Sequence, residues 1–295
     1  MDIEFARTFL AVAAAGNFVR AAERLHVTQS TVSARIQALE NQLGAVLFRR
    51  GRGGAELTQA GRRFLRHAKT LVQTLEQARH DVGLPAGFRG SLTISGRLAL
   101  WDGFLPQWVE RMRKTHPDIS LWLEVGFEEG IMQGLVQGAV DIGVMYTPES
   151  RPGLGIERLF EEVLVLVSTE PTIPWPDKGY IHMDWGSEFH AQFTTSFPEI
   201  APSAITANIG WVVMQQIMHC GGSGYFPLRM TRELIAQGQL WRVPDSPSFT
   251  LPAYMVFPVD RQEDMLANAL DSLRALGAEE RAASGESPIG VGKRA

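Results

Sequence analysis

Apolar residues recur three and four positions apart from Phe5 to Val82, then fall into short alternating or continuous runs from Leu92 onward. The chain therefore reads as a helical front and a mixed α/β remainder. At the front, Phe5, Phe9, Val12 and Ala13 predict a helix over about residues 3–15. Phe18, Ala21, Ala22 and Leu25 predict a second over 17–25, with Asn17 as its cap and two small alanines that permit close helix approach. His26-Val27 is too short for a loop and serves as a turn. Thr28 then caps a third helix whose apolar positions are Val32, Ile36, Leu39 and Leu43, ended by Gly44. The opposite face of that helix carries Gln29, Ser30, Thr31, Ser33 and Arg35. Such a face has no place in its own core, and its shape suits the major groove of DNA. Three helices meeting at tight turns make a helix-turn-helix unit, or else three small helices of a larger all-α core. Leu47-Phe48 anchors a basic, glycine-rich stretch, Arg49-Arg50-Gly51-Arg52-Gly53-Gly54, that leads to Glu56-Leu57-Thr58. A basic turn between two extended pieces reads as a wing toward phosphate or the minor groove, the alternative being an ordinary solvated loop.

From Thr58 to Leu84 no proline interrupts the pattern. Phe64, Ala68, Leu71, Leu75, Ala78 and Val82 alternate at spacings of four and three, which is a coiled-coil seam on a helix of about 40 Å. A parallel partner helix explains this seam, and packing on the chain's own domain is the alternative. Dimerisation matters because two recognition helices related by a dyad can read an inverted repeat. Leu84-Pro85-Ala86-Gly87-Phe88-Arg89-Gly90 breaks the rod and predicts a hinge.

Beyond the hinge, 91–95, 119–125, 140–146, 163–167 and 253–257 read as strands. Helices are marked by Leu105, Trp108, Val109 and Met112, by Ile131, Leu135 and Val136, and by Leu266, Ala269, Leu270 and Leu273 up to Gly277. This rhythm predicts mainly parallel sheets covered on both faces, long enough for two small lobes with a cleft between them. Ligands in such sheets sit at the strand C-terminal ends. That position selects Arg97, Trp101, Phe127, Glu128, Tyr146, Thr147, Asn208, Trp211, Gly224 and Tyr225. The aromatic residues among them suit a flat or ring-bearing metabolite, and serve equally well as core filler. Glu128 and Glu129 bring negative charge to one helix start, which weakens the case for a carboxylate ligand and leaves the chemistry open.

The charge of the whole chain, −4, conceals an asymmetry: residues 1–90 hold thirteen Arg and Lys against seven Asp and Glu, and the rest fifteen against twenty-five. The basic segment 1–90 attracts a polyanion and the acidic remainder is repelled by it. Catalysis has little support. Gly221-Gly222-Ser223-Gly224-Tyr225 lacks the last glycine of a nucleophile elbow and has no accompanying base, and His182 with Asp184 suits a structural pair. No phosphate-binding Gly-Lys-Ser/Thr loop and no His-Glu-x-x-His metal signature occurs, so neither a cofactor nor a metal is expected. Cys220 is the one cysteine, an inert thiol or an oxidant sensor. The acidic start Met1-Asp2-Ile3-Glu4-Phe5 is unlike a signal peptide, and the apolar run from Phe9 to Ala15 is too short to span a membrane, so a cytoplasmic protein is expected. Residues 278–295 are small and polar and read as a disordered tail.

These residues also carry a family resemblance. Phe9-Leu10-Ala11-Val12-Ala13, Gly16-Asn17-Phe18, Arg20-Ala21-Ala22-Glu23-Arg24-Leu25, Val27-Thr28-Gln29-Ser30, Val32-Ser33, Ile36, Leu39-Glu40, Leu43-Gly44, Leu47-Phe48-Arg49-Arg50 and Leu57-Thr58-Gln59-Ala60-Gly61 closely resemble the N-terminal domain of LysR-type transcriptional regulators. One departure is visible: many members place Arg directly after the serine, where this chain has Ala34 and then Arg35. The resemblance continues more weakly to the end of the chain. It implies a winged helix-turn-helix domain (1–57), a linker and dimerisation helix (58–84), a hinge (85–90) and an effector domain (91–277). That last domain would be two-lobed, α/β and like the type 2 periplasmic binding proteins. DNA would be met by Thr28, Gln29, Ser30, Thr31, Ser33 and Arg35 in the groove and by Arg20, Arg49, Arg50 and Arg52 at its backbone or edge. A dimer of dimers, a small-molecule effector and contact with RNA polymerase are further implications. The residues themselves argue only for the dimer. A transport binding protein would share the two lobes but not the helix-turn-helix, and an enzyme would need a nucleophile and base.

Overall fold

The computed structural model describes residues 2–51, 54–261 and 263–284, which form two compact units, Met1–Pro85 and Ala86–Ala295. In the first, α1 (Ile3–Ala15), α2 (Phe18–Leu25) and α3 (Gln29–Leu43) form because each start is capped. Asp2 accepts from Glu4 N, Asn17 from Val19 N and Arg20 N, and Thr28 from Thr31 N. Gly16, His26 and Gly44 end the three helices in the left-handed conformation, His26 at φ 53° without the freedom of glycine. Strands β1 (Phe48–Gly51) and β2 (Gly54–Leu57) pair antiparallel as a short hairpin, and α4 runs from Gln59 to Val82.

Phe9, Val12, Ala21, Val32, Ile36, Leu39 and Leu47 are fully or almost fully buried in one core. Phe9 joins three elements, its ring 5.2 Å from Phe48 of β1 and 5.0 Å from Phe64 of α4. Glu40 fixes the start of the hairpin by accepting from Leu47 N (2.7 Å) and Phe48 N. Gly61 is required: a Cβ there would lie 2.2 Å from Leu47 O.

In the second unit the elements are β3 (Gly90–Gly96), α5 (Leu98–Trp101), α6 (Leu105–Thr115), β4 (Ile119–Val125), α7 (Glu128–Val136), β5 (Ile142–Met145) and β6 (Leu154–Ser168). They continue with β7 (His182–Met183), α8 (Ser187–Ser196), β8 (Thr206–Ala207), α9 (Gly210–Cys220), β9 (Ser223–Pro227), α10 (Leu228–Ala236), β10 (Trp241–Arg242), β11 (Phe249–Pro258) and α11 (Asp264–Ser284). A seven-stranded sheet runs β10-β6-β11-β5-β3-β4, with β9 also on β6, and β7 pairs β8 separately. Only β3-β4 and β3-β5 are parallel within the large sheet; β5-β11, β11-β6, β6-β9 and β6-β10 are antiparallel. The expectation of mainly parallel pairing is thereby corrected. The physical reason is the long antiparallel pair β6/β11, which crosses from one group of strands to the other with a register shift at Ala253/Tyr254. One lobe gathers β3, β4, β5 and the Gly155–Phe160 end of β6; the other gathers β9, β10 and its Leu164–Ser168 end.

The tail expectation is corrected too. Helix α11 passes through Gly277, where a Cβ would lie 3.0 Å from Leu159 O, and continues to Ser284. Arg281 donates to Leu159 O and Glu279 pairs with Arg111, which holds the extra turns in place. Residues 285–295 lie outside the described residues.

Candidate nucleic-acid interface and ligand cleft

The N-terminal turn of α3 stands clear of its own unit, with Gln29 and Ser30 exposed. Thr28 Oγ1 meets both Ser30 Oγ and Thr31 Oγ1 at 2.8 Å, so the hydroxyls form one pre-ordered cluster on the cap. Thr31 and Ser33 are half-buried beside it. Arg20 on α2 and Arg49 on β1 are exposed, and Arg50 lies in the same strand opposite Ala55. Arg52 lies outside the described residues. Arg35 departs from expectation: its Nη1 lies 3.2 Å from Glu4 Oε2 and 3.3 Å from Thr8 Oγ1, so it is tied to α1. The sequence signal was the acid four residues before Thr8 on the helix that α3 packs against.

The proposed coiled-coil seam is divided. Ala68 is buried and Phe64 packs beside it in the core of the first unit, together with Leu65 and Val72. The alternation there is spent on α1, to which Arg7 also ties Glu76 of α4. Leu71 and Ala78 are exposed, Leu75 is half-buried and Val82 is 89% exposed, so these four keep an apolar stripe unspent on the domain.

At the strand ends of the second unit, Arg97 leaves β3 with its Nη1 3.3 Å from Glu128 Oε2 at the start of α7. Its guanidinium lies 4.7 Å from the centre of the exposed Phe127 ring. Trp101, half-buried, donates from Nε1 to Glu124 O at 2.9 Å. Thr147, Asn208 and Trp211 are exposed. Thus Arg97, Phe127 and Glu128 form one cluster with Trp101 nearby at the end of α5. Three other candidates are corrected. Tyr225 is fully buried, its OH donating to Pro247 O and its carbonyl accepting from Trp185 Nε1. Gly224 is buried in β9, where a Cβ would sit 2.9 Å from the Phe226 ring. Tyr146 is buried as well, its OH 3.3 Å from Glu162 Oε1.

Tyr146 leads to residues that sequence reasoning missed. Glu162 of β6, 2% exposed, accepts from Arg229 Nη2 at 2.5 Å. Arg229, at the start of α10, also donates to Ala99 O at 3.0 Å and to Asp102 O at the end of α5. One guanidinium therefore clasps a helix of each lobe and the strand crossing between them. Burial opposes the charge on Arg229, yet Glu162 beside it raises its pKa above the usual value. Burial first, then the Glu162 carboxylate, pushes the Tyr146 phenol well above its own.

Among the described residues, the serine and histidine weighed as catalytic candidates are engaged structurally. Ser223 is fully buried and donates to Asp177, and His182 Nδ1 shares a hydrogen bond with Tyr180 OH at 3.1 Å. Burial and the neighbouring His190 lower the His182 pKa, opposed by Asp184. A histidine so depressed contributes stability that is present above the unfolded value near 6.5 and lost as pH falls through the folded one. His182→Gln is accordingly expected to flatten the decline of melting temperature below about pH 6.5. An unaltered slope in a thermal titration would refute that role. Among the described residues, no helix is long and apolar enough to cross a membrane.

Comparison with known proteins agrees with this geometry. A family model described as bacterial regulatory helix-turn-helix protein, lysR family, matches residues 3–62, and one described as LysR substrate binding domain matches residues 85–277. The HTH-type transcriptional regulator HdfR of Escherichia fergusonii is 28% identical over 279 residues, covering 94% of this chain and 99% of that protein. The crystal structure of CbnR, described as a LysR family transcriptional regulator, aligns with a TM-score of 0.73 at 22% identity, covering 94% of this chain and 99% of that one. Full-length CbnR complexed with its target DNA aligns at 0.70 and 23% identity, covering 94% and 100%.

Proposed function

The chain belongs to the LysR family of bacterial helix-turn-helix transcriptional regulators, and on that basis we propose that it reads an interrupted inverted repeat as a dimer whose DNA-bound assembly responds to a small molecule. The observation that carries this reading is the uncovered cap of α3, Gln29 and Ser30, beside the exposed Arg49 of the hairpin. Gln29, Ser30, Thr31 and Ser33 address base edges, while Arg20, Arg49, Arg50 and Arg52 address phosphate. The stripe Leu71, Leu75, Ala78 and Val82 on α4 supports the dimer, because an apolar row on a solvated helix gains most from a second copy. Association into tetramers and recruitment of RNA polymerase extend the same reading, with the protein working in the cytoplasm.

The effector enters where Arg97, Phe127 and Glu128 meet. Arg97 is paired with Glu128, so a ligand must offer both a partner for Arg97 and one for Glu128, or stack on Phe127. Its binding biases one of two arrangements of the assembly through the differential contacts it makes in each.

Two substitutions separate the roles on DNA. Arg49→Ala is expected to weaken binding to every sequence and to lower the slope of log affinity against log salt by about 0.9. Gln29→Ala is expected to leave that slope unchanged and to lose about 1–3 kcal/mol of base discrimination. Fluorescence anisotropy over a salt series reads both. An Arg49→Ala variant with unchanged affinity and slope would remove the hairpin from the interface.

A further inference from the structure

Between Thr28 and Gly44 the third helix has a single basic residue, Arg35, and the fold withdraws it from the exposed face. Its Nη1 lies 3.2 Å from Glu4 Oε2, and its second partner is the hydroxyl of Thr8, a residue with no exposed surface. Thr8 is itself fixed, donating to Glu4 O at 2.6 Å. A solvated ion pair alone holds a long side chain weakly, but here the buried hydroxyl supplies a second, immobile anchor. What remains exposed along α3 is Gln29, Ser30, Ala34, Gln37, Asn41, Gln42 and Leu43, with Gln37 bonded to Asn41 at 3.1 Å. These are amides, a hydroxyl and apolar groups, with no cation among them.

That inventory decides which bases can be read. Guanine is read chiefly by Arg or Lys on its O6 and N7, adenine by the paired donor and acceptor of a Gln or Asn amide, and thymine by apolar contact with its methyl group. Gln29 can supply the amide and Ala34, five residues further along the helix, the methyl.

We infer that Glu4 sets the base preference of the DNA surface: by holding Arg35 against α1 it leaves an uncharged face on α3 that selects A·T pairs. Glu4 itself touches no base; it is a positioning residue acting through Arg35. The inference rests on α3 being the reading helix.

The test is selection of a randomised duplex library by the full-length protein, with Glu4→Gln, Thr8→Val and Arg35→Met alongside. The parent and Arg35→Met are expected to enrich the same A·T pairs at the helix-contacted positions. Glu4→Gln frees the guanidinium and is expected to gain guanine at one of these positions by about five- to hundredfold. Its salt slope is expected to steepen by about 0.9, the mark of one added phosphate or base-edge cation. Thr8→Val removes the other anchor and is expected to shift the same position by a smaller factor, which keeps the test alive if Glu4→Gln does not fold. Guanine enriched by the parent and lost in Arg35→Met would overturn the inference while leaving DNA recognition intact. So would anchor-removing variants whose selected sequences match those of the parent. Failure of every protein, parent included, to enrich any sequence would instead overturn the underlying assignment of α3.

Discussion

Replacing Arg229 with alanine is expected to destabilise the second unit by about 3–5 kcal/mol, because it strands Glu162 as an uncompensated charge in the core. The carboxylate is 2% exposed and its Oε1 faces both Arg229 and Tyr146, so water cannot take over the lost partner. The carbonyl of Asp102 loses the Arg229 donor in the same step, and that of Ala99 keeps only the Asp102 N–H. Removing the pair together, as Glu162→Gln with Arg229→Met, is expected to return most of the loss, since a buried ion pair costs nearly as much desolvation as it gains in attraction. Urea denaturation of the full-length protein followed by tryptophan fluorescence measures both variants. A loss under about 1 kcal/mol in Arg229→Ala would mean that the clasp is solvated or dispensable. Because Arg229 joins α10 to α5, the same variant is expected to loosen the lobes and to blunt any effector response before it unfolds the domain.

Phe9→Ala is expected to remove a comparable 3–5 kcal/mol, this time from the DNA-binding unit. Phe9 has no exposed surface and is the one ring touching both Phe48 of the hairpin and Phe64 of the long helix among the described ring contacts. Its loss leaves a cavity where three elements meet. A domain of this size has stability of about the same order, so DNA binding should fail on warming well before the second unit melts. Phe9→Leu, which fills most of the volume, is expected to retain binding. Differential scanning calorimetry with parallel anisotropy distinguishes the two units. Unchanged DNA affinity in Phe9→Ala at 37 °C would contradict the role given to this core.

Much of this was legible in the residues, and the exceptions have physical causes. Caps and glycines announced α1 to α3 because those signals act within four residues of one another, as with Asn17 on Val19 N and Thr28 on Thr31 N. The uncovered face of α3 was legible for the same reason, being the complement of Val32, Ile36 and Leu39. On α4 the periodicity marks Ala68, which is buried, and Phe64, which is half-buried, without saying what covers them. Strand β6 was seen only as Val163–Val167, because its first half alternates with charged residues, Glu157, Arg158, Glu161 and Glu162. The acid at 162, next to Glu161 and directly before the apolar run Val163–Val167, was the available signal for a buried pair. Its partner lies 67 residues away, beyond the reach of any local pattern. The ligand candidates divided in the same way. Position at a strand end found Arg97, Phe127 and Glu128, whereas Tyr146, just past β5, and Tyr225, in the middle of β9, are buried in the core.

The most direct measurement is a footprint of the full-length protein on the DNA upstream of its own gene at low ionic strength, repeated with Gln29 and Arg49 both replaced by alanine. The account predicts protection across two half-sites related by a dyad, weakening steeply with added salt and lost in the double variant. Absence of protection at low salt, or protection indifferent to the two replacements, would contradict it.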